Sequence, residues 1–295
     1  MHSHITLAGW AAGALLSIMA LGGCASGHHA PFVTPLEQHR DIRALESYLQ
    51  SAADASDNLT LATIGQVSYG DFDAPLWHLA WRSASPARRK VLINAGIHGN
   101  EPAGVACVLE LAEAWRTLPH LFESIDVDII PIVNPWGWVH DVRFNRDGVD
   151  INRDFASLKS QEARILKEFL SGRTYDLMID LHEDPGATGF YLYQYGAADS
   201  SLSEQIISAV RLLGYPIEEN VSMIIVKTKN GIIDAPMWGL AYMRLTGQLS
   251  IANYYRLQHS RRVFTVETPT GLAMADRQKI QLMAVRMMIS RSGTE

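Results

Sequence analysis

Four short apolar runs, KVLINAGI, VDIIPIV, YDLMIDLH and VFTVE, are separated by stretches of helical periodicity, and this alternation constrains the fold more than any other feature of the chain. Runs this short, bounded by glycine, proline or charged residues, suit buried strands. Between and after them, VACVLELAEAW, SLSEQIISAVRLLG and ADRQKIQLMAVRMMIS read as helices, as does ASLKSQEARILKEFLSG, closed by Gly172. Upstream, TPLEQHRDIRALESYLQSAAD has helical spacing with Thr34 as a candidate N-cap, and LTLATIGQV and APLWHLAWR read as strands. Strands alternating with helices predict an α/β chain: a single domain with a mixed, mostly parallel sheet and helices on both faces. In such sheets ligands bind outside the carboxyl ends of the strands.

The ends of the runs carry the chemistry. VLINAGIHGNEPAG takes a buried strand through Gly96 to His98 and Glu101, three residues apart, with Pro102 suited to the first turn of a helix. A second histidine, His182, closes the run YDLMIDLH. Two imidazoles and one carboxylate form a His₂Glu set, the number of protein ligands that a catalytic zinc takes while leaving a position for water. Asp180 and Glu183 flank His182 as candidates to orient its ring. The pair His120 and Glu123 has the same spacing but no strand feeding it, and reads as surface loop. No HExxH helix is present, so the ligand set is spread over the fold.

The amino terminus has a separate message. An apolar stretch within LAGWAAGALLSIMALGG, too short for a comfortable membrane span, runs into Leu21-Gly22-Gly23-Cys24. That tetrapeptide resembles the lipobox of bacterial lipoproteins, although MHSHITL lacks the usual basic residues. The resemblance implies a signal peptide over 1–23, a lipidated Cys24 that anchors the chain to a membrane, and a tether over 24–35 that includes His28 and His29. It also implies a bacterial envelope address facing the periplasm, with Ala25 favouring the outer membrane. Cys107 remains, in an apolar helical pattern, as a small core residue without a disulfide partner. The net charge is −6 with Lys and Arg scattered, which offers no electrostatic footprint for nucleic acid.

Between the two histidines lies IVNPWGWVHDVRFNRDGVDINRDF. Here the chain resembles the zinc metallocarboxypeptidases of the carboxypeptidase A type in their short bacterial form. The elements are His98-Gly-Asn-Glu101, Asn134-Pro-Trp-Gly137, Arg143-Phe-Asn145, Gly148-Val-Asp-Ile-Asn152-Arg153, Leu181-His182 and Thr265-Val-Glu267-Thr-Pro, with IGQVSYG resembling the family's early strand and turn. The resemblance covers residues 36–295 as one catalytic domain. It implies one zinc ion held by His98, Glu101 and His182. Arg143 would polarise the scissile carbonyl, Asn152 and Arg153 would grip the free carboxylate of the substrate, and Glu267 would move protons between water and the leaving amine. The family also places a tyrosine over the substrate, for which Tyr242, Tyr254 and Tyr255 are candidates.

Two other readings stay open. Aspartoacylase and succinylglutamate desuccinylase share the fold and metal site and cleave N-acyl amino acids instead of peptides. A lipoprotein that binds peptide without catalysis would keep the fold but has no need of Glu267. An envelope address suggests cell-wall peptides as substrates. The segment from Gly231 to His259 is the expected side-chain pocket, where Asp234 would either favour a basic side chain or cap a helix.

Overall fold

In the computed structural model of the chain, the described residues are 40–117, 122–195, 200–219, 221–223, 226–260 and 262–291. The expectations for the signal peptide, Cys24, the tether and Thr34 fall outside them, as does His120 of the loop pair. One compact unit spans Val33–Glu295.

The apolar runs become the parallel centre of one sheet. In chain order the strands are β1 (Leu59–Ser68), β2 (Asp73–Trp81), β3 (Arg89–Asn94), β4 (Ile125–Ile130), β5 (Leu177–Asp184) and β6 (Tyr191–Tyr195). They are followed by the short strands β7 (Ser222–Met223) and β8 (Val226–Lys227), then β9 (Ile232–Ala235) and β10 (Val263–Pro269). Eight of these form a sheet in the order β1-β2-β4-β3-β5-β10-β6-β9, while β7 and β8 pair separately. Strands β4, β3, β5 and β10 run parallel; β1, β2 and β6 join by antiparallel pairs, and β9 is parallel to β6. The mixed sheet expected from the sequence is therefore present.

The helices are α1 (Ile42–Asp54), α2 (Pro102–Thr117), α3 (Pro135–His140), α4 (Gln161–Leu170), α5 (Ser200–Leu212), α6 (Met237–Leu245), α7 (Ile251–Gln258) and α8 (Met274–Arg291), with a 3₁₀ turn at Ile151–Arg153. Helix α1 starts at Ile42, capped by the Asp41 carboxylate on the Arg43 amide, so the helix begins well after Thr34. Helix α2 contacts β5, α1 and α8. That enclosure explains why VACVLELAEAW is apolar nearly all round and why Cys107 is buried. On the opposite face, Leu92, Met178 and Val263 from three parallel strands share a core with Leu166 and Leu170 of α4 and Ile251 and Tyr255 of α7.

Strand periodicity then fixes which residues can meet. Met178 faces α4 and α7, so Asp180 and His182, two and four residues on, share that face. Leu181 points the other way, towards Gly104 of α2. Among the described residues no helix is long and apolar enough to cross a membrane.

Candidate metal centre and active site

The loop after β3 folds back because Gly96 takes φ +61°, a conformation that costs glycine little. The Glu101 amide then donates to the His98 carbonyl at 3.2 Å, which brings both side chains to one side. The loop lies hard against α3. A Cβ on Gly99 would stand 1.9 Å from the Gly137 carbonyl carbon, so glycine is required at this crossing. Helix α3 is itself fixed by Asn134, whose Oδ1 accepts from the Gly137 amide at 2.8 Å and whose Nδ2 donates to the Arg143 carbonyl at 3.2 Å. The Asn-Pro-Trp-Gly stretch is thus a capped helix start that aims the following loop.

His98, Glu101 and His182 converge, all buried, with one ligand atom from each lying within 4.8 Å of the others. Glu101 sits between the rings: Oε1 is 2.6 Å from His98 Nδ1 and Oε2 is 2.7 Å from His182 Nδ1. The second ring nitrogens are held from behind, His98 Nε2 at 3.2 Å from Asp150 Oδ1 and His182 Nε2 at 3.0 Å from Asp180 Oδ2. A carboxylate behind each imidazole sets its tautomer and aims its other nitrogen forward, the usual dress of a metal-ligating histidine. The donor set therefore fits a divalent ion. Burial works against a charged His182 ring, but Asp180 and Glu101 hold its pKa well above the ordinary value. Burial likewise opposes ionisation of Glu101 and Asp150, yet the histidines beside them keep both carboxyls well below the carboxylate range. Asp180 is thus an orienting group, whereas Glu183 faces the other way, accepting from the Ala103 amide at 2.8 Å and pairing with Arg277.

Arg143 is anchored by Asp150, to which Nε and Nη2 donate at 3.1 and 3.0 Å; Nη1 then lies 3.5 Å from Glu101 Oε1, at the rim of the donor set. Asp150 thus serves His98 and Arg143 together. The sequence displays it within Gly-Val-Asp-Ile-Asn-Arg but gives no hint of this double duty.

Glu267 lies opposite His182 in the parallel register of β10 and β5. Burial, with the nearby carboxylates of Glu101, Asp184 and Asp180 adding to it, raises its pKa to about 8 against the pull of His182. Asn152 and Arg153 follow Asp150 in the 3₁₀ turn. Both ends of the Asn152 amide are engaged: Oδ1 accepts from the Ile251 amide at the start of α7 at 3.0 Å, and Nδ2 lies 3.2 Å from His182 Nε2. Arg153 is half-buried, with Nη1 donating to the Asn152 carbonyl at 2.9 Å.

The tyrosines are placed differently from expectation. Tyr255 is fully buried and Tyr254 packs on Phe155, so neither is presented to solvent, while Tyr242 is half exposed on α6. The tyrosines that share the face of Glu267 are on β6, a strand not read from the sequence. Tyr191, Tyr193 and Tyr195 stand opposite Glu267, Thr265 and Val263 and contact one another edge-on or tilted. Their signal was the period-2 alternation of YLYQY. Asp234 has neither expected role. It pairs with Gln194 on the opposite face, and α6 begins after Pro236 with no side-chain cap.

This arrangement is the carboxypeptidase-like metallopeptidase fold. A candidate metallopeptidase from Shewanella amazonensis superposes with a TM-score of 0.69 at 24% identity, over 85% of this chain and 92% of that one. A metallo-carboxypeptidase from Pseudomonas aeruginosa, solved with (2-guanidinoethylmercapto)succinic acid, gives 0.60 at 18% identity over 84% and 68%. Within that class, residues 87–226 match the family model of the succinylglutamate desuccinylase/aspartoacylase catalytic domain. Carboxypeptidase 2 of Trichophyton rubrum is 28% identical over 155 residues, 50% of this chain and 29% of the relative. The chain spans less than a third of the length of the curated relatives it matches. These likenesses agree with the resemblance carried by the sequence motifs.

Proposed function

We propose that this chain is a zinc-dependent carboxypeptidase that hydrolyses the C-terminal amide bond of peptides. The observation that carries the reading is the placement of Glu267 directly across from His182, on the sheet face where His98, Glu101 and Arg143 converge. His98, Glu101 and His182 would hold the ion, which when bound supplies a Lewis acid and acidifies a water. The raised pKa of Glu267 makes it a stronger base than an ordinary carboxylate, suited to take a proton from the attacking water and pass it to the leaving amine. Arg143, oriented by Asp150, stabilises the carbonyl oxygen as negative charge builds. Arg153 and Asn152 receive the terminal carboxylate, and the bond from the Ile251 amide to Asn152 steadies the turn that presents them.

The lipobox resemblance at Leu21–Cys24 supports a further step: an envelope lipoprotein acting on cell-wall peptides. A second reading, hydrolysis of N-acyl amino acids, draws support from the desuccinylase/aspartoacylase match over 87–226. The two share the metal site and differ in the product.

One experiment separates them. The protein is incubated with a pool of peptides, muropeptides and N-acyl amino acids, and the products are weighed by mass spectrometry, alongside Glu267→Gln and a chelator-treated sample. Loss of single C-terminal residues, absent from both controls, is the expected result. Release of acyl groups alone transfers the assignment to the deacylases. No turnover by metal-loaded protein leaves a peptide-binding lipoprotein.

A further inference from the structure

Arg40 stands just ahead of α1, remote in sequence from every residue of the site, yet its guanidinium is spent on the loop that carries two of the three metal donors. Nη1 donates to the carbonyl of Gly99, which lies between His98 and Glu101, and at 3.3 Å to the carbonyl of Trp138. Nη2 pairs with Asp141 at 2.7 Å, and the cation lies 4.8 Å from the Trp138 ring centroid. Only 15% of the Arg40 side chain is exposed, whereas Asp141 is 64% exposed, so the guanidinium is sheltered while its counter-charge stays at the surface.

The position has a physical reason. Gly99 and Gly137 press backbone on backbone, too close for a side chain between them. Van der Waals contact alone sets their distance but resists sliding poorly. One guanidinium nitrogen, Nη1, donates to a carbonyl on each side of the seam while Nη2 is held by Asp141, and this fixes the loop in register with α3. The rigid guanidinium holds these donors in a fixed plane, whereas an ammonium on a flexible stem is less well pre-organised for them.

We propose that Arg40 is a positioning residue for the metal centre: by holding the Gly99 peptide against α3 it sets the separation of His98 and Glu101 that a divalent ion requires. The proposal rests on the reading of His98, Glu101 and His182 as metal ligands. Outer groups that orient ligands typically change metal affinity by about 10–100-fold when removed.

The test uses the full chain, with zinc itself as probe in competition with a chromophoric chelator. Wild type is compared with Arg40→Ala, Arg40→Lys and Arg146→Ala, the last removing an exposed arginine that pairs with Asp71. Thermal unfolding is followed with and without zinc. Arg40→Ala is expected to bind zinc about 10–100-fold more weakly and to show a smaller zinc-induced rise in Tm, with a cooperative transition retained in the metal-free state. Arg40→Lys falls between, and Arg146→Ala matches wild type. Zinc affinity of Arg40→Ala within twofold of wild type overturns the proposal. If the alanine variant does not fold, the same twofold criterion applied to Arg40→Lys decides it. A wild type that takes up no zinc overturns the metal-site reading, and the proposal with it.

Discussion

Glu267 and His182 face one another across the parallel pair β10 and β5, so a carboxylate with a raised pKa stands beside an imidazole that bonds the central ligand Glu101. Glu267→Gln keeps shape and size and is expected to lower kcat by about 10²–10⁴-fold while metal stoichiometry stays at wild-type level. Steady-state kinetics with metal analysis on the same preparation checks both, and equal activity would remove Glu267 from the reaction.

The same residue makes the metal-free protein sensitive to alkali. Its folded pKa, about 8, lies above the ordinary 4.5, so the folded state holds this proton more tightly than the unfolded chain does. The stabilisation from that protonated carboxyl is complete below pH ~4.5 and is lost as pH rises through about 8, with a slope of at most ~1.4 kcal/mol per pH unit. Denaturant midpoints at pH 5 and pH 9 should fall further for metal-free wild type than for metal-free Glu267→Gln. Parallel curves for the two proteins refute this.

Asp150 serves His98 and Arg143 together, so Asp150→Asn should have two effects. Zinc affinity falls by about 10–100-fold, because the ring behind which it sits is less well aimed. Even at saturating zinc, kcat stays below wild type because Arg143 has lost its anchor. Recovery of full kcat in excess zinc means that Arg143 does not depend on Asp150.

Arg143 and Arg153 should separate in kinetics. Arg143 touches the rim of the donor set, and Arg143→Ala is expected to cost about 10²–10³ in kcat. Arg153→Ala is expected to raise KM chiefly, and to raise it less for substrates whose terminal carboxylate is amidated, since those have little to lose. The reverse pattern would exchange their assignments.

The seam between Gly99 and Gly137 predicts a structural effect. Gly99→Ala forces a methyl into backbone atoms and should destabilise the fold by about 3 kcal/mol or more, read as a lowered denaturant midpoint. Gly148→Ala, where nothing lies within 4 Å of the new methyl, should cost less, its penalty coming from the positive φ alone.

The parallel core was legible because strands buried on both faces write themselves as unbroken apolar runs, and His98, Glu101 and His182 were legible because they stand where those runs stop. Other parts left a weaker trace. Strand β6 alternates tyrosine with other residues, a pattern that reports one polar-facing side only once its neighbours are known. Helices α6 and α7 fall in a segment read as a pocket wall, where exposed Met237 and Trp238 blur the amphipathic pattern. Asp180 and Glu183 looked equivalent beside His182; only the parity of β5 sends one to the imidazole and the other to α2. Arg40 had no sequence signal at all, since its partners are carbonyls 59 and 98 residues away.

The strand order has a consequence for how the protein is born. Strand β10 is the last in the chain but is seated between β5 and β6. As the polypeptide emerges amino end first, His98, Glu101 and His182 are made well before Glu267. Glu267 cannot stand beside His182 until β10 slots between β5 and β6. The facing of Glu267 and His182 is therefore among the last relationships the described sheet can complete.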